Sequence, residues 1–345
     1  PNPRRGYRGL KGISFLGSQV AIANASTIFI YNEKWEPQTY FFHPTCAGFH
    51  DILLTDKGVW VTSARTDILA QLDFNGKILK YHDLRQNKIL NQYAQRTIKP
   101  FLSSIAIREG QFDFRNPLSH DSAITDGLHV NSFAFLENGD LLISCGLIRV
   151  VSRYRIHQLN NRLKNTIFSG LLPRLHEIFQ TLFKKDGNKF EATKITKEKS
   201  HSLILRFPSS GIVAPSLVLD QCFVPNHSIR ILRDKTAIYL NTSSGELIHF
   251  DPISNEIFST TKIGEKFLRG ACQLPDDTLL IGDNNILIHF DLAKHKILSK
   301  TQFSEDSTEG VFDIELKPDN FSLPPDSFVK LHEQALPVNQ FNLEK

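Results

Sequence analysis

Short stretches of alternating apolar and polar residues recur along the 345-residue chain, and each ends at a turn rich in Asp, Asn, Gly or Lys. Six of these stretches open alike, with a polar residue followed by an alternating strand; they begin at Tyr7, Gly48, Gly127, Pro225, Phe267 and Glu309. Most continue into a second strand, such as VWVTSA, and a third that ends in a turn, such as LIHFDPISNEI. Alternation with a period of two at this density of turns predicts an all-β protein.

The polar residues that begin these repeats are spaced like the blades of a propeller. The starts near Arg8, His50, His129, His227, Arg269 and Asp313 are separated by 42, 79, 98, 42 and 44 residues. A unit of about 40 residues with three or four short strands is typical of a propeller blade. Each of the two long intervals holds one blade and an insertion. The sequence therefore predicts a single domain, residues 1–345, that forms a six-bladed β-propeller, with seven blades as the alternative.

Two insertions interrupt the repeats. Residues 84–125 are mixed and aromatic, which is typical of a long ordered loop. Residues 157–199 fall within the third blade, and their first part, 157–185, spaces apolar residues three or four apart and is broken at Pro173. This spacing predicts a pair of amphipathic helices, followed by a polar and mobile stretch. The helices are expected either to cap one face of the propeller, where they would bind a protein partner, or to fill a gap at its side.

Composition narrows the classes of protein that remain. The chain has 40 Lys and Arg against 36 Asp and Glu, and no long basic run, which argues against nucleic acid as a partner. No apolar run approaches the roughly 18 residues that a transmembrane segment needs. Four cysteines stand far apart and form no CxxC pair: Cys46, Cys145, Cys222 and Cys272. Such thiols are typical of a reducing compartment, so we expect a cytoplasmic protein.

The polar residues at the strand openings are candidates for a functional site. In a propeller the innermost strand of every blade lines the central channel, so side chains that precede these strands are expected to converge at one mouth. The candidates are Arg8, His50, Asp51, His129, Asn131, Asn226, His227, Arg269 and Asp313. The three histidines would be the catalytic groups, because an imidazole titrates near neutral pH and can act as general acid or base.

The other six candidates would bind the substrate, with the arginines clamping a carboxylate or phosphate. A structural interpretation stands beside this one. Propeller channels are commonly polar, and the same side chains would then form hydrogen bonds with water and with the inner strands. His249 and His289, in the two IHFD stretches, fall on later strands and are expected to pack at the blade edges.

A metal ion is a further possibility for the ring. Three neutral imidazoles are a usual face for a transition metal. The ligands would come from three different blades, however, so no short motif supports a metal, and the sequence predicts none. The cofactor stays unknown, because the chain has no GxSxG elbow, HExxH motif, Walker loop or GxGxxG in a strand-to-helix setting.

Several blade openings together resemble an uncharacterised bacterial β-propeller family, a domain of unknown function. The resemblance is carried by HD with GVWVTS at His50, HVNSFAF at His129, NHSIR with YLNTSSGEL at Asn226, and RG with LLIG at Arg269. It covers roughly residues 45–290, and the residues that match position by position are His50, His129, Asn226, His227, Ser228 and Arg269. The chain departs from the family in the insertion after Arg149 and in its short, proline-rich end. The resemblance implies a six-bladed propeller and no particular activity.

Two classes of function follow from this reasoning. The first is an enzyme that acts on a small polar or peptide-like substrate at the mouth of the central channel, by acid–base chemistry of His, Arg and Asp. The second is a non-catalytic binding module or scaffold that holds a protein partner with the propeller face and residues 157–185. The fold alone does not decide between them. The repeated titratable residues favour the enzyme, because a scaffold needs none there.

Overall fold

The computed structural model describes residues 9–84, 127–148, 201–210, 216–222, 225–265, 267–305 and 310–324. These residues form twenty strands in five four-stranded antiparallel sheets, and strands that follow each other in sequence are neighbours in the sheet. The part of the chain described here contains no helix, and hence none that is long and apolar enough to cross a membrane. The described residues form a five-bladed β-propeller.

The bounds of the strands are as follows. The first blade has β1 (Gly12–Leu16), β2 (Gln19–Ala23), β3 (Ile28–Asn32) and β4 (Pro37–Phe41), and the second has β5 (Ile52–Thr55), β6 (Gly58–Ser63), β7 (Ile68–Leu72) and β8 (Ile78–Asp83). The third blade has β9 (Val130–Phe135), β10 (Leu141–Ile148), β11 (His201–Phe207) and β12 (Ser216–Cys222). The fourth blade has β13 (Asn226–Ile231), β14 (Ala237–Asn241), β15 (Glu246–Phe250) and β16 (Ile257–Lys262), and the fifth has β17 (Leu268–Gln273), β18 (Leu279–Asp283), β19 (Ile286–Asp291) and β20 (Lys296–Gln302).

The first strand of each blade is the innermost. Inner strands of neighbouring blades pack directly on one another, as β1 does on β5 and β13 does on both β9 and β17. The fourth strands of the other four blades are largely exposed to solvent, whereas Val218 and Leu219 of β12 are buried. Apolar side chains fill the spaces between blades, so that Ile30 of the first blade shares a buried cluster with Val61 of the second. Each fully buried side chain of this size contributes about 1.5–3 kcal/mol.

The prediction of six blades with a helical insertion is wrong, because the described residues form five sheets and no helix. The sixth repeat start lies in the segment 310–324, which forms no strand and pairs with none in the part of the chain described. Alternation reports which side chains are buried and does not supply a partner strand. Prolines at positions 318 and 324 also remove backbone donors that a strand needs. Nearly all of 84–125 and the whole of 157–199 lie outside the described residues, and the single-domain division stays a prediction.

The segment 310–324 joins the fifth blade to the first. The backbone N–H of Val311 donates to the carbonyl of Asn284 at 2.9 Å. Gly282 permits this approach, because a Cβ there would lie 2.5 Å from the Cβ of Val311. Further along, the ring of Phe321 packs against the first blade with its centroid 5.9 Å from that of Trp35. We call this segment the closing segment.

Replacing Phe321 by alanine is expected to lower the free energy of unfolding by about 3–5 kcal/mol, the usual loss for a buried phenylalanine. Its side chain is 3% exposed and packs on Phe15 and Trp35. The matched control is Leu323→Ala, because Leu323 is 81% exposed and its loss should change stability by no more than about 0.5 kcal/mol. Urea titration measures both variants. Equal small losses would show that the closing segment does not hold the ring together.

Polar side chains on the inner strands link each blade to the next. Each accepts a hydrogen bond from a backbone N–H of the following blade: Ser14 from Leu54 at 3.0 Å, Asp51 from Phe133 at 3.3 Å, Ser132 from Ile229 at 2.8 Å, and Ser228 from Gly270 at 2.9 Å. In the closing segment, Asp313 accepts from Ile13 of the first blade at 3.3 Å. These contacts fix the inner strands around the axis. The residues before Asp51, Ser228 and Asp313 are His50, His227 and Phe312, and their rings lie close together at one mouth of the channel.

Three of the cysteines are free thiols, as the sequence predicted. Cys46, Cys145 and Cys272 are free thiols and all three are buried. Burial raises the pKa of the Cys46 thiol to about 12 and that of Cys272 to about 11. These thiols are therefore protonated and unreactive at neutral pH. The cytoplasmic location stays a prediction.

Candidate functional site at the channel mouth

Three inner strands are irregular where they reach the mouth. In β13, His227 pairs with Leu240 but Arg230 pairs with Ile238, so this strand holds one residue more than its partner. The same happens between Arg269 and Ala271 of β17 and between Val130 and Ser132 of β9. A β-bulge of this kind bends the strand and redirects a side chain. The bulges turn the side chains that precede them toward the axis.

The three predicted histidines meet at this mouth. One ring nitrogen from each of His50, His129 and His227 lies within 4.8 Å of the others. The ring centroid of His50 is 4.7 Å from that of His129 and 5.9 Å from that of His227. His129 has a φ of 53°, and the carboxylate of Asp67 accepts its backbone N–H at 3.3 Å. His50 and His129 are half-buried, whereas His227 is only 2% exposed.

The hydrogen bonds of His227 define its tautomer. The hydroxyl of Thr242 donates to the carbonyl of Leu268 at 2.9 Å, so it must accept the bond that joins it to Nδ1 of His227 at 2.7 Å. Nδ1 therefore carries the proton, and Nε2 presents a lone pair. Nη2 of Arg269 lies 2.8 Å from that Nε2 and donates to it. His227 is thus a neutral imidazole whose two nitrogens are both engaged.

Burial and nearby cations keep these imidazoles neutral. Burial holds the pKa of His227 well below its usual value, and Arg269, His129 and Lys11 lower it further. Burial is also the main reason that the pKa of His50 is well below its usual value, followed by His129, Arg269, His227 and Lys11. Protonation of His227 would turn Nε2 into a donor that faces the guanidinium of Arg269. At neutral pH both imidazoles are therefore free bases.

Aromatic rings and two cations complete the mouth. The guanidinium carbon of Arg269 lies 4.1 Å from the ring centroid of Phe312 and 4.7 Å from that of Phe267. Nζ of Lys11 lies 3.7 Å from the centroid of the same Phe312 ring. The sequence interpretation missed Lys11, Phe267, Phe312 and Thr242. Phe312 was detectable, because it occupies the place in the last repeat that His50 and His227 occupy in theirs, one residue before the acceptor.

Arg230 lies deeper in the channel and holds two of the predicted carboxylates. Its Nη1 donates to Asp51 at 3.3 Å, its Nη2 to Asp313 at 2.5 Å, and its Nε to the carbonyl of Ala271 at 3.1 Å. Burial alone would lower the pKa of Arg230, but Asp51, Asp313 and Glu315 raise it. Burial raises the pKa of Asp313 to about 7, with Asp51 and Glu315 adding to the shift against the effect of Arg230. Asp51 and Asp313 thus contact Arg230 instead of the histidines.

Asn131 and Asn226 belong to a buried network between the third and fourth blades. The side-chain amide of Asn131 donates to the backbone carbonyl of Asn226. The hydroxyl of Ser144 lies 2.9 Å from Oδ1 of Asn131 and 2.5 Å from Oδ1 of Asn226. All three side chains are buried. The amide nitrogen of Asn226 is buried and has no hydrogen-bond partner among the described residues. The role of both asparagines in substrate binding stays a prediction.

The remaining sequence candidates lie elsewhere. Arg8 lies outside the described residues. His249 and His289 are on the third strands of their blades, and each places Nε2 2.8 Å from a threonine hydroxyl of the neighbouring chain segment, Thr236 and Thr278 respectively. The structure therefore brings His50, His129, His227 and Arg269 together at the mouth. The two outer histidines lie on the third strands of their blades, away from the inner strands.

The three histidines have the residue types of a metal site, but the contacts of His227 act against one. Imidazoles bind a metal through an unshared lone pair. The lone pair on Nε2 of His227 accepts from Arg269, and Nδ1 holds the proton bonded to Thr242. A metal would bind His227 only after one of these partners moved. The expectation of no metal stays a prediction.

Comparisons with known proteins support the fold and nothing finer. No protein-family model matches the chain, and no curated protein sequence matches it. Among solved structures, a chain of a nidogen/laminin complex is similar with 11% identity and a TM-score of 0.50, over 87% of this chain and 82% of that one.

A catalytically inactive virginiamycin B lyase from Staphylococcus aureus is similar with 13% identity and a TM-score of 0.47, over 88% and 73% of the two chains. A luciferin-regenerating enzyme is similar with 8% identity and a TM-score of 0.47, over 86% and 76%. The similarity to the nidogen/laminin chain agrees with a β-propeller. It agrees with the resemblance to a propeller family only at the level of the fold, and the six blades implied by that family are corrected to five.

Proposed function

We propose that the channel mouth is the active site of an enzyme for a small polar or peptide-like molecule, with His50, His129 and His227 as its acid–base groups. The observation that carries this proposal is Nδ1 of His50, which is buried and has no hydrogen-bond partner among the described residues. Leaving such an atom unpaired costs about 1–3 kcal/mol. A bound molecule that satisfies it would remove that cost.

The surroundings of His50 support chemistry on that molecule. A neutral imidazole can take a proton from a bound hydroxyl, thiol or amide, and a cation beside it can stabilise the negative charge that develops. Arg269 is such a cation, since it already contacts His227. Solvent reaches the mouth, because His50, His129 and Arg269 are half-buried and Phe267 is 38% exposed.

The alternative, a binding module that holds a protein through residues 157–185, depends on residues outside the described part of the chain. No contact in that part favours it. The unpaired nitrogen of His50 favours the enzyme, because a protein scaffold gains nothing from a buried base without a hydrogen-bond partner.

The test is conversion of a small molecule that depends on the inner histidines. The full-length protein is incubated with a cell extract filtered to remove macromolecules, and changes in small molecules are followed by mass spectrometry. We expect the unchanged protein to convert at least one polar compound and the double variant His50→Ala/His129→Ala to convert none of it. The matched control is His249→Ala/His289→Ala, which removes the two outer histidines and should retain conversion. The proposal would be overturned if the unchanged protein converted no compound, or if both double variants lost conversion while circular dichroism showed that they were folded.

A further inference from the structure

We propose that the mouth takes an anion, a molecule with a carboxylate, phosphate or similar oxyanion, and that Arg269 and Lys11 bind its oxygen atoms. The inference rests on the proposed function only for the location of the site, and it holds whether or not a reaction follows binding. It is carried by how the two cations are placed, by the charges that surround His50, and by the bond between Arg269 and His227.

Arg269 is held in place before any ligand arrives. Its guanidinium lies over the rings of Phe267 and Phe312, and one of its amino groups donates to Nε2 of His227. Gly270, the next residue, has a φ of 72°, a conformation that side chains rarely adopt, and it forms the bulge that turns Arg269 to the axis. A guanidinium that is already fixed loses little side-chain entropy when it binds an oxyanion.

Lys11 brings a second positive charge to the same wall. Its side chain is only 8% exposed, although lysine is almost never buried to this extent. Nζ lies 3.7 Å from the centroid of Phe312, the ring that also contacts Arg269. The chain thus positions two cations on one aromatic ring at the end of the channel. A cation–π contact keeps each head group directed at the ring while it can still bind an oxygen atom.

Two permanent cations act on His50: Lys11 lies beside the first strand and Arg269 comes from the fifth blade. These cations and the neighbouring imidazoles of His129 and His227, from the third and fourth blades, lower the pKa of His50. The carboxylate of Asp51, the residue next to His50, is directed to Ser132 at 2.7 Å and to Arg230 at 3.3 Å. The mouth is therefore a region of positive potential, where an anion is stabilised and a metal ion or an organic cation is repelled.

Binding of an anion should be coupled to uptake of a proton. In the unliganded protein, Nε2 of His227 accepts from Arg269. When an oxyanion accepts from Arg269 instead, Nε2 can take a proton and donate to the same anion, so the pKa of His227 rises in the complex. A group that is protonated more readily in the complex strengthens binding as the pH falls. Affinity should therefore rise as the pH is lowered from about 8 to about 6, by at most about tenfold per pH unit for one proton.

The experiment measures binding of simple probes to the full-length protein by calorimetry. Malonate, sulfate and inorganic phosphate are the anionic probes, glycerol is the neutral probe, tetramethylammonium is the cationic probe, and zinc chloride tests a metal. We expect at least one of the anions to bind with a stoichiometry of one, more tightly at about pH 6 than at about pH 8. Heats measured in two buffers of different ionisation enthalpy should show proton uptake.

The variants Arg269→Gln and Lys11→Gln should each weaken that anion at least tenfold, as expected when a hydrogen bond to a charged group is lost. The matched controls are Arg233→Gln and Lys235→Gln, whose exposed side chains pair with Asp277 and Glu137 at the turn after β13. Unaltered anion affinity in Arg269→Gln, or saturable binding of tetramethylammonium or zinc at the histidines in the absence of anion binding, would overturn the inference. Conversion of a neutral compound in the extract experiment, without anion binding, would overturn it and leave the proposed function standing. Anion binding without conversion of any compound would support the inference and overturn the proposed function.

Discussion

Replacing Arg230 by methionine is expected to lower the free energy of unfolding by about 3–5 kcal/mol, the usual loss when one partner of a buried ion pair is removed. The guanidinium contacts the carboxylates of Asp51 and Asp313, whose side chains are only 7% and 6% exposed. Methionine fills the volume of the arginine stem but leaves two buried carboxylates facing each other without a cation. Their desolvation, rather than lost packing, accounts for the effect.

The loss of unfolding free energy in Arg230→Met should depend on pH, and the direction of that dependence follows from the pKa of Asp313. The pKa of Asp313 in the folded protein is raised to about 7, above that of an unfolded aspartate. A carboxyl group with a raised pKa favours the folded state at low pH, and that contribution is lost as the pH rises through the folded-state pKa. Without Arg230 this pKa rises further, so the variant should lose less stability at about pH 5 than at about pH 8.

Urea titration at the two pH values measures the effect. The matched control is Arg233→Met, because Arg233 forms an ion pair with Asp277 in which both side chains are largely exposed. Such a pair contributes about 0–1 kcal/mol. A loss in Arg230→Met that is as small as in the control, or that does not change with pH, would show that Arg230 does not neutralise these carboxylates.

Removing the Nε2 atom of His227 is expected to lower kcat/KM for the converted compound by about 10²–10⁴, the usual contribution of a general acid or base. Two variants separate catalysis from structure. His227→Ala removes the whole ring, whereas His227→Asn retains an amide that can donate to Thr242 in place of Nδ1. Both lose the atom that contacts Arg269. If Nε2 transfers the proton, the two variants should be equally inactive.

Stability should differ between the two variants. The ring of His227 is 2% exposed and bonded to both Thr242 and Arg269, so alanine should cost about 1–3 kcal/mol and asparagine less. His289→Ala is the control, since its ring contacts Thr278 on a blade edge. Turnover in His227→Asn close to that of the unchanged protein would assign the histidine a structural role.

The sequence predicted the convergence at the mouth because the repeats place polar residues at equivalent positions of the inner strands. His50, His129, His227 and Arg269 come from four blades and meet, as the shared position of the inner strands requires. The later histidines were also distinguished correctly from the inner ones. The functional roles of these residues stay predictions.

The contacts of Arg230 were not predictable from alternation. It stands three residues after His227, so a period of two would place it on the opposite side of the strand. The bulge in β13 adds a residue and returns Arg230 to the channel. The predicted number of blades was wrong for a related reason. The alternating residues of the closing segment form no strand, because alternation does not show whether a second strand is there to pair with them.

The closing segment links completion of the ring to completion of the site. Phe312, the ring on which both Lys11 and Arg269 lie, belongs to this segment, as does Asp313, which bonds to Arg230. A chain that ended before residue 310 would lack the aromatic wall of the mouth as well as its join to the first blade. Such a nascent or proteolysed chain would contain all three histidines but would lack Phe312 and therefore a complete mouth. The proposed site is thereby completed only in molecules whose synthesis has run past the last blade.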